Sequence, residues 1–175
     1  MIPFNFRTKR NLEMKVAEAK ELKFKSKFPG LEEISARLDD QKKKLFIDTL
    51  NWKGYDYKPE VSFEIAYSTH EIFLKRENST RANPQIISKI RRQTSVGTDL
   101  VKEKKGEFKW TITIAIPFEV FFHHKIKELK GRTFRANFYK CGDMLSVPHY
   151  ITWNPIGTEN PDYHQPKYFG EIKFI

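Results

Sequence analysis

The sequence has a single cysteine, few glycines and no long apolar run. Because Cys141 has no possible partner within the chain, an internal disulfide is excluded. No stretch approaches the roughly 18 uninterrupted apolar residues of a transmembrane helix, so no membrane span is expected. The 8 glycines are scattered singly, as turn formers are, and the chain has no glycine-rich phosphate-binding loop.

The N-terminal residues lack the apolar stretch of a secretory signal. Met1–Arg7 is followed by further polar and basic residues rather than by a long apolar run. We therefore expect either a cytoplasmic protein or a secreted one whose signal has been trimmed.

Acidic residues are outnumbered by basic ones, which gives the chain a formal charge of +10. Residues 1–28 and 83–110 carry most of the excess. Such charge attracts phosphate backbones and acidic membrane surfaces. A stacking platform for bases would require aromatic residues interleaved with the basic ones, and neither segment shows that pattern. The pattern favours a solvated basic face, and nucleic acid is an unlikely partner.

The length and the apolar content suit one domain. The chain has 175 residues, 39% of them hydrophobic, and its 15 phenylalanines supply much of the expected core. Residues 11–27 mix apolar residues and lysines at loosely helical spacing, so residues 1–28 are predicted to form a basic tail or helix. Pro29-Gly30 then breaks the chain. Residues 29–175 are predicted to form the folded module.

Alternation with a period of two dominates that module. Val61–Tyr67, Phe108–Ile116 and 133–139 each place apolar residues on one side, which is typical of half-buried strands. Further strands are predicted near 71–75, 149–153 and 169–174, and short helices near 31–38 and 118–129. The sequence predicts an antiparallel β-sandwich with short peripheral helices.

No pattern of catalytic or metal-binding residues is present. Cys141 has no surrounding nucleophile signature, and the histidines lack the short fixed spacings of zinc ligands. We therefore predict no catalytic residue, no metal and no cofactor. The paired carboxylates of a glycoside hydrolase are defined by their separation in space, so a hydrolase or accessory fragment stays as an alternative.

Aromatic and polar residues near the C-terminus suit sugar recognition instead. A binding site for sugars needs an exposed flat ring flanked by amides, guanidinium groups or carboxylates. Trp153-Asn154 enters the polar loop 155–166, and Arg135 and Asn137 share one face of a predicted strand. Trp110, in the middle of an apolar face, is predicted to lie in the core.

Several segments resemble the family 9-like carbohydrate-binding modules of Bacteroidetes. These segments are Tyr57–Tyr67, Trp110–Phe118, Phe134–Asp143, His149–Pro155 and Pro161–Gly170. The resemblance implies a β-sandwich that binds a mono- or oligosaccharide without cleaving it, in support of polysaccharide utilisation and beside a glycan-degrading enzyme. It also implies a site in which Trp153 stacks on the sugar and polar groups bind the hydroxyls; these are Arg135, Asn137, Asn154 and, as a further contact, Arg81.

The chain departs from this family after Ala82. The family normally continues through central strands that include an acidic and aromatic segment, whereas this chain passes almost directly to Ile86-Ile87. Either residues are omitted between Ala82 and Asn83, or this member has lost central strands and part of the site.

Overall fold

The computed structural model describes residues 12–68, 71–76, 88–97, 109–121 and 124–175, together with Glu103 and Gly106. Its strands are β1 (Val16–Glu21), β2 (Leu45–Phe46), β3 (Thr49–Leu50), β4 (Ser62–Tyr67), β5 (Glu71–Arg76), β6 (Arg91–Thr94), β7 (Ile112–Pro117), β8 (Thr133–Ala136), β9 (Tyr139–Cys141), β10 (Tyr150–Thr152) and β11 (Gly170–Phe174). Helix α1 spans Leu31–Asp40, and 3-10 turns span Phe118–Val120 and Pro166–Tyr168.

The strands form two sheets. The large one has the order β6-β7-β5-β4-β1-β11-β8, with β2 also paired to β4, and the small one has the order β3-β10-β9. All pairs are antiparallel except those of β1, which runs parallel to both β4 and β11. The predicted β-sandwich with a short peripheral helix is therefore confirmed, with a parallel strand that the sequence did not indicate.

The core fills the space between the two sheets. Its largest members are aromatic: Phe63 packs against Phe138 with ring centroids 4.0 Å apart and against Trp153 at 5.9 Å. Ile151 brings the small sheet into the same cluster. Each such side chain contributes about 1.5–3 kcal/mol through loss of contact with water. Phe63 and Phe174 are buried in this core cluster, and further phenylalanines pack against it: Phe118, Phe121, Phe134 and Phe138.

Helix α1 covers the opposite face of the large sheet. Ile34 and Leu38, one stripe of the helix, pack on Ala66 of β4 and Ala115 of β7. The small alanines permit this close approach. Both faces of β4 are therefore covered, and even Glu64 is buried, although alternation in the sequence predicted one buried face.

Two expectations about helices are wrong. Val16–Glu21 is a strand inside the large sheet, because Ala17 and Ala19 alternate with polar residues and point into the core. The helix predicted near 118–129 is also wrong, since Pro117 is followed by a single 3-10 turn, Phe118–Val120. Phe121 and Leu129 instead pack on the core from irregular backbone. Short helices have little stability of their own, so such packing overrides them.

Other expectations fall outside the described residues. The junction between Ala82 and Asn83 is among them, as is Phe108 at the start of the predicted third strand. Trp110 is half-buried and precedes β7, whose first residue is Ile112. No helix within the described residues is long and apolar enough to cross a membrane.

Candidate functional site

Trp153, the predicted stacking residue, belongs to the core. Its side chain is only 2% exposed and contacts Phe63 and Phe138 edge-on. Gly170 lies so close that an added Cβ would be 2.8 Å from the indole. Trp153 therefore cannot stack on a sugar in this structure, and the expectation of an exposed ring is wrong.

Asn137 and Asn154 form an internal amide clamp. The Asn154 backbone N–H donates to Asn137 Oδ1 at 2.8 Å, and Asn137 Nδ2 donates to the Asn154 carbonyl at 2.9 Å. Asn154 Nδ2 donates to the Tyr168 carbonyl at 2.8 Å, while its Oδ1 accepts the Lys15 backbone N–H at 2.6 Å. These amides hold the loop after β10 in place, and their main partners are protein groups rather than solvent.

Of the other two predicted contacts, the structure describes only Arg135. Arg135 is exposed on β8, and its guanidinium donates to the carbonyls of Lys167 and Phe169 at 3.3 and 3.1 Å. Arg81 lies outside the described residues. The structure thus brings Trp153, Asn137 and Asn154 together as support for the loops, while Arg135 braces the turn before β11.

A cluster of half-exposed aromatic rings lies on the outer face of the small sheet. In the register of β9 and β10, Tyr150 is opposite Cys141 and Thr152 is opposite Tyr139, so Tyr139 and Tyr150 project from the same face. Ile151, of the other parity, points into the core. The parity of β10 therefore separates Ile151 and Trp153, which are buried, from Tyr150, which is half-exposed.

Two loops complete this surface, which we call the tyrosine face and define as Tyr55, Tyr139, Tyr150 and Tyr163. Tyr163 stacks on Tyr139 with centroids 4.4 Å apart and an interplanar angle of 18°. Tyr55 meets Tyr150 edge-on at 4.7 Å. All four side chains are half-buried, so each keeps part of its surface in solvent.

Trp52 supports the tyrosine face from beneath. It is 5% exposed, and its ring meets Tyr150 and Tyr163 edge-on, with ring centroids 6.4 and 5.9 Å apart. Its indole N–H donates to the carbonyl and hydroxyl of Thr158 at 3.1 and 3.2 Å. The indole thereby ties the loop that carries Tyr163 to the end of β3, and the rings are held in fixed positions.

Burial keeps the hydroxyl of Tyr139 protonated near neutral pH. Burial raises the pKa of Tyr139 to about 12, and the charge of Asp162 adds to the rise. The nearby side chain of Asn137 lowers the pKa of Tyr139, although the buried Tyr139 hydroxyl has no partner at hydrogen-bond geometry among the described residues. Tyr163 donates its hydroxyl proton to the Lys140 carbonyl at 3.0 Å, which fixes the stacked pair.

A carboxylate flanks the face on each side. Asp162 accepts hydrogen bonds from the Gln165 amide and from the His164 backbone N–H, and these bonds lower its pKa. Asp143 is exposed in the hairpin beyond Cys141, close enough to Tyr150 to contribute to the raised pKa of that phenol, which burial raises most. Carboxylate oxygens at these positions can accept hydrogen bonds from hydroxyl groups.

A buried Lys140–His149 pair holds the hairpin from its inner side. Lys140 Nζ donates to His149 Nε2 at 2.8 Å and to the Cys141 carbonyl at 2.9 Å. His149 Nδ1–H then donates to the Val147 carbonyl at 3.1 Å, and burial lowers the histidine pKa. Gly142 lies directly against the imidazole, where an added Cβ would be 2.2 Å away.

Half-exposed rings between two carboxylates can bind a ligand that has both apolar faces and hydroxyl groups. Among the described residues, no group of three or more histidines, cysteines or acids could hold a metal ion. The sequence assigned stacking to Trp153, and none of the four rings of the tyrosine face was among the predicted site residues. Alternation along 150–153 was the signal that separated the exposed ring from the buried one.

The fold and this surface define a β-sandwich binding module, and comparisons with known proteins give its family. The family model "Carbohydrate-binding family 9" matches residues 73–174, so the chain belongs to that family. A crystal structure of a candidate carbohydrate-binding protein from Bacteroides uniformis ATCC 8492 is 28% identical, with a TM-score of 0.83, and the match covers 93% of this chain and 100% of that one.

A second solved structure is similar to this chain in fold at lower sequence identity. A family 9 carbohydrate-binding module from Caldicellulosiruptor kristjanssonii, solved in complex with glucose, is 11% identical with a TM-score of 0.52. The match covers 92% of this chain and 96% of that one, and it shows a shared fold. Comparison with curated proteins finds no match.

Proposed function

We propose that this protein binds a mono- or oligosaccharide on the tyrosine face without cleaving it. One observation supports the location above all: a member of Carbohydrate-binding family 9 presents half-exposed, mutually braced tyrosine rings on the outer face of its small sheet. Tyr150 is the central ring, because it contacts Tyr55, Trp52 and Tyr163.

The physical basis is the two-sided chemistry of a sugar ring. Its C–H face gains about 25 cal/mol for each Å² of apolar surface buried against a flat aromatic ring. Its hydroxyls need acceptors, which Asp143 and Asp162 supply beside the rings. Because Trp52 and the stacked pair fix the rings beforehand, binding orders few side chains and loses little entropy.

The proposed role is support of glycan degradation. Members that bind without catalysis act by holding a partner enzyme near its substrate, which raises the effective concentration of one for the other. We therefore propose a glycan-degrading enzyme as the biological partner and no hydrolytic activity in this chain. A pure sample that released reducing ends from glycans, and lost this activity on mutation of a carboxylate, would contradict the second statement.

Calorimetric titration with a panel of neutral mono- and oligosaccharides tests the site. Tyr150→Ala should weaken binding by about tenfold or more, equivalent to at least about 1.4 kcal/mol, because the central ring is removed. Tyr150→Phe should retain most of the affinity. Phe28→Ala is the matched control, since Phe28 is 52% exposed and precedes α1, which covers the opposite face of the large sheet.

The same titrations at increasing salt separate sugar binding from binding to nucleic acid. Affinity for a neutral sugar should hardly change, whereas phosphate contacts release counterions and weaken steeply with salt. Unchanged sugar affinity in Tyr150→Ala would place the site elsewhere. Failure of every sugar, together with tight salt-sensitive binding to nucleic acid, would contradict the proposed function itself.

A further inference from the structure

A long groove lies outside the tyrosine face. Its walls are the segments 12–16, 44–53 and 155–159, and no tyrosine of the tyrosine face lines it. It opens where two strands separate: β1 pairs with β4 only through Lys20 and Glu21, while β2 pairs with the other half of β4. The groove is thus a consequence of the sheet topology.

Exposed apolar side chains line this groove. Five of them, which we call the apolar strip, are Leu12, Met14, Val16, Phe46 and Leu50, with exposures of 38, 44, 48, 47 and 37%. Leu12, Met14 and Val16 alternate with the charged residues Glu13 and Lys15, which line the groove as well. Contiguous apolar surface of this kind, bordered by charges, is typical of contact sites.

The lining suits protein better than carbohydrate. Trp52, Trp153 and Tyr168 also line the groove, but both tryptophans are buried. Four of the five exposed side chains of the apolar strip are aliphatic, whereas a sugar stacks on flat, exposed rings. Shape-adaptable aliphatic side chains such as Leu12, Met14 and Val16 pack well against similar side chains of another polypeptide, as they do in a core.

The charges that border the groove are balanced. The basic members are Lys15, Lys44 and Lys53, and the acidic ones are Glu13, Asp48 and Glu159. Lys15 and Asp48 already form an ion pair at 2.8 Å. Two copies of a chain with a charge of +10 repel each other over most of their surfaces, but they can approach where both signs occur equally.

We propose that the groove is the face through which two copies of this chain associate. A two-fold contact brings the same surface of each copy together, so the surface has to complement itself. An apolar strip meets this condition, and so does a border with three charges of each sign. None of the four tyrosines of the tyrosine face lines the groove, although Trp52, on which Tyr150 and Tyr163 pack, does.

Sedimentation of the full chain over a wide range of protein concentration tests this proposal. The average mass of the wild type should rise from that of the monomer toward twice that value. Met14→Glu places a charge in the apolar strip and should raise the dimer dissociation constant by at least about tenfold. Met144→Glu is the matched control, because Met144 is 92% exposed in the hairpin loop and does not line the groove.

Phe46→Ser is a second variant that disturbs the apolar strip from the opposite wall. Thermal melting of each variant confirms that it is folded before its mass is interpreted. A wild type that stays monomeric at every concentration would overturn the proposal. A dimer that Met14→Glu and Phe46→Ser both leave intact would overturn it as well, since association would then use another face.

Discussion

Tyr150 begins β10 and Trp153 directly follows its last residue, yet Trp153 is a core residue and Tyr150 is half-exposed. The difference follows from their parity. Trp153 shares its side of the chain with Ile151, which packs in the core, and Tyr150 projects from the outer face. At the scale of single residues, the type of ring predicted that Trp153 is exposed, which is wrong, while the alternation of β10 places Tyr150 on the outer face.

Trp153→Ala should therefore act on stability. Removing a fully buried indole leaves a cavity beside Phe63 and Phe138 and should cost about 3–5 kcal/mol of the free energy of unfolding. Urea denaturation measures this loss, and Tyr150→Ala should lower stability less because Tyr150 is half-exposed. If Trp153→Ala unfolded like the wild type but bound no sugar, the indole would belong to the site after all.

Gly170 provides a second test at a single position. An added methyl group would lie 2.6 Å from the Lys15 carbonyl and 2.8 Å from the Trp153 ring, so Gly170→Ala forces backbone or core to move. Such overpacking should lower stability by about 1–3 kcal/mol, measured by thermal or urea unfolding. Gly30→Ala is the control, because nothing lies within 4 Å of its added Cβ. Equal stability of the two variants would contradict the close contact between β1, β11 and Trp153.

The β9–β10 hairpin shows how one element combines support with display. Its outer side carries Tyr139 and Tyr150, and its inner side holds the Lys140–His149 pair. The Nε2 of His149 has to be unprotonated in order to accept from the Lys140 ammonium. The geometry of the proposed site therefore depends on a neutral histidine that the site itself does not use.

This dependence predicts a pH effect on stability. Burial lowers the pKa of His149 below its usual 6.5, so below that pH the unfolded chain binds the proton more readily than the folded one. The contribution of His149 is therefore complete above about pH 6.5 and decreases as the pH falls toward the folded-state pKa. The free energy of unfolding, measured by urea titration between about pH 7.5 and 5, should fall more steeply for the wild type than for His149→Gln. Parallel curves for the two proteins would contradict this role, because the carboxylates they share would then account for the whole slope.

For the whole molecule, the basic excess and the proposed sugar site are separate features. The carboxylates that flank the tyrosine face are Asp143 and Asp162, and lysines are exposed elsewhere, as at Lys23, Lys25 and Lys27. Some of the basic residues form exposed ion pairs, such as Lys43 with Glu18 at 3.1 Å. The net charge thus describes how the molecule meets other macromolecules over distance, while the local groups of the site determine the chemistry of its ligand.

The sequence by itself determined the fold class and the family. Alternation over Val61–Tyr67 and near 108–116 predicted strands, because successive side chains of a strand point to opposite faces and a single buried face gives a period of two. The C-terminal motifs indicated a carbohydrate-binding module. Tertiary structure alone decided which ring stays in solvent, and it made Val16–Glu21 a strand rather than a helix. The reason is that alternation divides a strand into two faces, but whether each face is covered depends on elements distant in the chain, as when α1 covers Ala66 and the core encloses Trp153.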